Sequence, residues 1–292
     1  VQQHVETDQQ KRRADEHRVH AADGNASTEE VQVAVDRIPN GFDLLRREAD
    51  ARHFPGEGQP LILHVRQFPP ARVLLRPAEK AHIITVKGVK VAFVGFTEMT
   101  NGLTMSSDSE LAFVYTSDEE EMEKLIKIAK DNADVVIVSV HWGQENVLAA
   151  SAEQKQLGQK FADWGADIIL GHHPHVLQEI ETITSADGRA VPICYSLGNF
   201  TSTMNDKANH VGGFFKCNVV YDKASGSVSI ADEEFIPVVN YFTEGKNNIH
   251  VVPFADYTDE MAAKHGAGIT REYVTDLLKQ TVGSDLVKGL DQ

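Results

Sequence analysis

Two stretches decide how this chain is read: DVVIVSVHWGQE, residues 134–145, and GADIILGHHPHVLQ, residues 165–178. Each contains a short continuous run of β-branched and aliphatic side chains, the pattern of a strand buried on both faces, and each runs straight into a turn that carries imidazoles. Between them, Ser151 to Trp164 has helical periodicity and is stopped by Gly165. Upstream, Ser117 to Ala133 reads as a helix opened by Ser117, with Glu120 at the capping-box spacing and Met122, Leu125, Ile126 and Ile128 on one face. Ahead of it, Ile83 to Val86 and Val89 to Phe96 read as a hairpin turning at Lys87-Gly88. The order strand, helix, strand, helix, strand predicts a layered α/β domain with parallel or mixed strands.

Later segments have a different character. Val176 to Thr184, Val191 to Ser196, Phe214 to Tyr221 and Val228 to Phe235 read as strands joined by turn residues such as Asp187-Gly188 and Ser225-Gly226, which predicts antiparallel pairing. Asp256 to His265 and Thr270 to Thr281 read as two closing helices.

The first 80 residues differ from the rest. They hold ten Arg and two Lys, six of the ten prolines and no Tyr, Trp, Met or Cys, whereas residues 81–292 hold two Arg and fourteen Lys. The net charge of −15 divides the same way: 12 basic against 13 acidic residues before the break, 16 against 30 after it. An acidic chain is a poor general ligand for nucleic acid or anionic lipid. No run of about 18 apolar residues predicts a membrane span. Gln2 to Glu30 is expected to pack poorly, and the apolar clusters at Val31 to Val35, Phe42 to Leu45 and Leu61 to Val65 are expected to give at most a short helix and a strand or two.

Candidate chemistry gathers at the ends of the two buried strands, because open α/β sheets bind ligands outside the carboxyl ends of their strands. His141 ends one run; His172, His173 and His175 follow the other, with Pro174 stiffening the turn. His173 and His175 form a His-x-His pair suited to a borderline metal such as zinc, manganese or iron, and His172 is expected to point away. Glu145 is the candidate catalytic carboxylate, substrate-facing or supporting the metal. In YSLGNF, residues 195–200, Gly198 would allow close backbone approach and Asn199 offers an amide to a substrate or a loop carbonyl. Cys194 and Cys217 lie in apolar strand runs, where thiols are inert, and no Gly-x-Ser-x-Gly element suggests a serine hydrolase.

The succession VKVAFVGFTEMTNG, VVIVSVHWGQE, GADIILGHHPHVLQ and YSLGNF, over roughly residues 81 to 245, resembles the bacterial CapA family of poly-γ-glutamate capsule synthesis proteins, within the calcineurin-like metallophosphoesterase superfamily. The resemblance implies a four-layer α/β/β/α sandwich with a two-metal site, divalent metal ions as cofactors, and His141, His173 and His175 as ligands. It also implies a cell-envelope location, an anionic polymer or phosphoester as substrate and a capsule synthesis complex as partner. The family's remaining ligands, a Gly-Asp turn, an Asn-x-Glu element and an Asn-Asn-His element, are not found in residues 1–80, where His17 and His20 have only a helical ligand spacing. The expectation is therefore an Arg/Pro-rich leader over 1–80, either a shifted reading frame or an unrelated fusion, ahead of a domain over 81–292 that is incomplete at its N-terminus and closed by helices within 256–281. A catalytically silent accessory or scaffold protein of a polymer synthesis and export complex is the alternative function.

Overall fold

In the computed structural model, residues 29–36, 61–66, 81–105, 113–222, 224–246, 248–288 and 290 are described, the first two segments by backbone course alone. The Phe42 to Leu45 cluster, His17 and His20 lie outside them.

Alternation along the buried runs builds the core. In β4 (Val89–Thr97), Val89, Val91 and Phe93 point to one apolar cluster, while Ala92, Val94 and Phe96 point to another. β5 (Val135–His141) does the same, with Val135 and Ile137 on one side and Val136, Val138 and Val140 on the other. A strand lying between two apolar layers needs a continuous apolar run, and this is what the sequence shows. These strands belong to a six-stranded sheet whose order is β3 (His82–Val86), β4, β5, β6 (Ile168–His172), β8 (Ala190–Cys194), β7 (Ile180–Thr184). Its centre is parallel, and β3 and β7 close the edges antiparallel.

On one face lie α1 (Glu119–Asn132) and α2 (Ala152–Trp164), which bury Met122, Leu125, Ile126 and Phe161 against the sheet. The cap of α1 is Asp118, not Ser117: its carboxylate accepts the Glu121 N–H at 3.1 Å. Aspartate is as good a cap as serine, and this start sets Glu119, Glu120 and Glu121 in the first turn, where the helix dipole favours anions. In α2 the capping box forms between Ser151 and Gln154, and Gly165 ends the helix.

The other face packs on a second sheet, ordered β11 (His250–Pro253), β10 (Ser227–Tyr241), β9 (Val211–Asp222), β1 (Glu29–Asp36), β2 (Leu61–Arg66). Phe215, Cys217, Val219, Phe235 and Val239 from this sheet share one cluster with Val91, Ile137 and Leu170 from the first. β1 and β2 take in the Val31 to Val35 and Leu61 to Val65 stretches, and β1 runs antiparallel to β9. Helices α3 (Asp259–Lys264) and α4 (Arg271–Thr281) follow, α4 adding Val274, Leu277 and Leu278 to the same cluster. The result is a mixed α/β sandwich in which helices, sheet and sheet are stacked in succession.

Two expected elements are shorter than read by several residues. Only Ile180 to Thr184 of the Val176 to Thr184 run is a strand, because Gln178, fully buried, donates to the Val147 carbonyl at 2.8 Å and fastens its segment to the loop after β5. The Asp256 to His265 helix starts at Asp259, where Thr258 caps it by accepting the Met261 N–H.

Candidate metal centre

Parallel pairing brings the carboxyl ends of β4, β5 and β6 to one edge in register, so that Thr97 stands beside His141 and His141 beside His172. The chain then leaves β5 through Trp142, Gly143 and Gln144 to Glu145, and leaves β6 through His173 and Pro174 to His175. Three backbone positions here carry positive φ without being glycine: Asn146 at 62°, His173 at 102° and His175 at 61°. Such conformations cost of the order of 1–3 kcal/mol each and persist only where surrounding contacts hold them. Gly171 is required for a different reason, since a Cβ there would stand 1.9 Å from the Tyr195 carbonyl oxygen.

Glu145, His173 and His175 each offer a ligand atom, and the three atoms lie within 4.8 Å of one another. The proton on His175 can be placed by elimination. Asn199 Nδ2 donates to the Asn209 carbonyl at 3.1 Å and to Ser202 Oγ at 3.2 Å, so Asn199 Oδ1 is the atom that meets His175 Nδ1 at 2.9 Å. An amide oxygen only accepts, so His175 Nδ1 carries a proton and Nε2 is the ring nitrogen left to face Glu145. Nε2 lies 3.9 Å from Glu145 Oε1, where the two can share a proton or a metal ion. Two imidazoles and a carboxylate with open positions are also a set zinc uses in hydrolytic sites. Edges of a zinc tetrahedron with bonds near 2.1 Å measure roughly 3.4 Å, so the loops need close only slightly to fit.

His173 is buried, and desolvation, its largest influence, lowers its pKa from the ordinary imidazole value against the raising effect of Glu145. It therefore keeps a lone pair at neutral pH. His141 stands beside it, ring centroids 4.4 Å apart, but does not join the three-donor set. Its Nδ1 faces Thr97 Oγ1 at 3.4 Å, and the Thr97 hydroxyl donates to the Met99 carbonyl at 2.6 Å, so His141 is the donor to Thr97. His172 is buried and outside the set.

Of the two partners expected for the Asn199 amide, the described contact is a loop carbonyl: it is 4% exposed, donates to the Asn209 carbonyl and Ser202 Oγ, and its oxygen meets His175 Nδ1, so it orients a histidine. Gly198, at φ 67°, brings the backbone against β9, where a Cβ would meet the Val211 carbonyl at 2.5 Å. The sequence reading assigned nothing to Thr97, Glu98, Asn146 or Asn209. Glu98 Oε2 accepts the Gly143 N–H at 2.7 Å and so fixes the start of the loop that carries Glu145. A cavity of about 460 Å³ lies against this loop, lined by Trp142, Gly143 and Gln144 together with Glu98, Glu119, Glu153 and Lys160. Lys160 is paired with Glu119 at 2.6 Å, which leaves the cavity acidic.

Fold and donor set together define a mixed α/β sandwich with a metal-competent cluster of two histidines and a glutamate at the carboxyl edge of its parallel strands. Residues 74–204 match the family described as bacterial capsule synthesis protein PGA_cap. The match begins close to the compositional break near residue 80 and spans all the donors. The chain is similar to the PGA biosynthesis protein CapA of Bacillus subtilis (strain 168), with 42% identity over 115 residues, 39% of this chain and 29% of that protein. It is also similar to the capsule biosynthesis protein CapA of Bacillus anthracis, with 38% identity over 119 residues, 39% of this chain and 28% of that protein. The matches thus cover less than a third of either relative. Among solved structures, a phosphatase from Mycoplasma pneumoniae aligns at TM-score 0.39 and 11% identity, covering 74% of this chain and 95% of that one. The NAD nucleotidase of Haemophilus influenzae aligns at TM-score 0.34 and 15% identity, covering 71% of this chain and 33% of that one. No helix among the described residues is long and apolar enough to cross a membrane.

Proposed function

We propose that this chain carries a metal-dependent, phosphoesterase-type hydrolytic centre of a capsule biosynthesis protein in a poly-γ-glutamate system at the cell envelope. The observation that carries the reading is the convergence of Glu145, His173 and His175 inside the family-matched segment. Glu145, His173 and His175 would hold one divalent ion, manganese, zinc or iron, with His141 alongside. When bound, the ion supplies Lewis acidity and lowers the pKa of a bound water. The protein's own part is to hold His175 Nδ1–H on Asn199 so that Nε2 faces the site, to keep His173 neutral by burial and to hold Glu145 at the rim, half exposed to solvent.

The acidic cavity beside the loop repels a polyanion, so the anionic group of a substrate has to be received at the donor set, where a cation offsets its charge. A capsule synthesis complex is the partner this reading implies.

Hydrolysis of a chromogenic phosphodiester by the manganese-loaded protein tests the reading. Weak turnover is expected, abolished by chelation and by His173→Ala. Turnover that survives His173→Ala would contradict it, and a tightly held metal with no turnover at all would favour an accessory role in the same complex.

A further inference from the structure

We propose that Asn209 is the positioning residue of this centre, the side chain that locks the loop carrying Glu145 to the loop carrying His175. The proposal rests on reading Glu145, His173 and His175 as a metal site.

Asn209 belongs to neither loop. It stands in a short 3-10 turn, Lys207–His210, that leads into β9 of the second sheet, and it is 1% exposed. Its Nδ2 donates to Asn146 Oδ1 at 2.7 Å and to the His175 carbonyl at 3.2 Å. Its own carbonyl accepts the Asn199 amide at 3.1 Å, the bond that settles which way Asn199 faces and hence where His175 carries its proton. One buried asparagine therefore touches the residue after Glu145, the backbone of His175 and the group that selects the His175 tautomer.

Asn146 and His175 are two of the three strained non-glycine positions in the loops after β5 and β6, so both loops need an external restraint to stay where they are. Asn146 also donates its N–H to the Pro174 carbonyl at 2.8 Å, which makes the junction between the loops double. Removing the Asn209 side chain leaves a backbone carbonyl and an amide oxygen without this donor. It also frees Glu145 to drift from the 3.9 Å separation at which it faces His175 Nε2.

Residues that orient ligands from behind typically change metal affinity by roughly 10- to 100-fold when lost, and that is the effect expected here. The test is titration of the full chain with cobalt(II), followed by visible absorption, which reports the number and geometry of ligands, together with the melting temperature of the metal-free protein. Asn209→Ala should bind cobalt roughly 10- to 100-fold more weakly and with an altered absorption band. Asn146→Gly should move affinity and spectrum the same way. Glycine accepts the φ of 62° at that exposed position, so this variant removes the acceptor without straining the backbone and keeps the question open to experiment should Asn209→Ala fail to fold. Wild-type affinity and spectrum in Asn146→Gly and in any folded Asn209→Ala would overturn the proposal while leaving the metal site standing. A wild-type chain that takes up no cobalt would overturn the metal reading, and the proposal with it.

Discussion

At His175 the Nε2 nitrogen and a Glu145 carboxylate oxygen face each other across 3.9 Å, while Asn199 Oδ1 accepts from Nδ1–H on the other side of the ring. This kind of detail follows from hydrogen-bond bookkeeping: one amide whose nitrogen is committed to a carbonyl fixes which ring nitrogen must donate. A contrasting pair lies nearby. His210 is fully buried, with neither ring nitrogen hydrogen-bonded among the described residues, and it packs against Phe242 and His265. Burial is the largest influence on both His210 and His265 and lowers both pKa values; the Met204 backbone offsets part of this at His210 without meeting hydrogen-bond geometry. The unfolded chain takes up protons at these positions near pH 6.5 and the folded chain only below that, so stability falls as pH drops through about 6.5. Half-buried Glu233, whose pKa is raised by desolvation, works in the opposite direction, so the variant comparison is the informative one. Denaturation of the metal-free protein at pH 7.5 and 5.5 should show a lower midpoint at 5.5, and His210→Phe should narrow the gap. An unchanged gap in that variant would contradict this account of His210.

Elements are held in place by contacts of differing legibility. Asp167, 3% exposed at the entrance to β6, accepts from Lys130 Nζ of α1 at 2.9 Å, Arg189 Nη1 at 3.0 Å and the Val136 N–H of β5 at 2.8 Å. Arg189 goes on to the Ala162 and Ala166 carbonyls, so one carboxylate ties both helices to the parallel strands. Breaking a buried pair by removing one partner costs about 3–5 kcal/mol, and partial exposure of Lys130 and Arg189 places Asp167→Ala toward the lower end; urea denaturation measures it. A loss below about 0.5 kcal/mol would place this network with ordinary surface pairs. The strands DVVIVSV and DIIL were readable because burial on both faces imposes a local pattern, and the Ser151 to Gly165 helix because caps and stops are local too. The loop from His173 to Gln178 was not, since Gln178 is fixed by carbonyls some 30 residues away. Asn209 left no mark in the sequence for the same reason: its partners are 34 and 63 residues distant, and no spacing rule connects them.

Across the whole molecule, two sheets share one apolar cluster and the donors stand at the carboxyl edge of the parallel strands. The free thiols Cys194 and Cys217 are buried inside that cluster, where desolvation raises their pKa values, so neither is available as a nucleophile. The family match from residue 74 to 204 runs through β4, β5 and β6 and past Asn199, which is why the donors were legible from motifs, while the supporting turn at 207–210 lies outside it. Among the described residues one group of three donors could hold an ion, and the account stands on that group. Elemental analysis of the purified chain, compared with His173→Ala and His175→Ala, tests it most directly. The account predicts about one equivalent of divalent metal in the wild type and little in either variant. No metal in the wild type, or equal metal in all three, would contradict it.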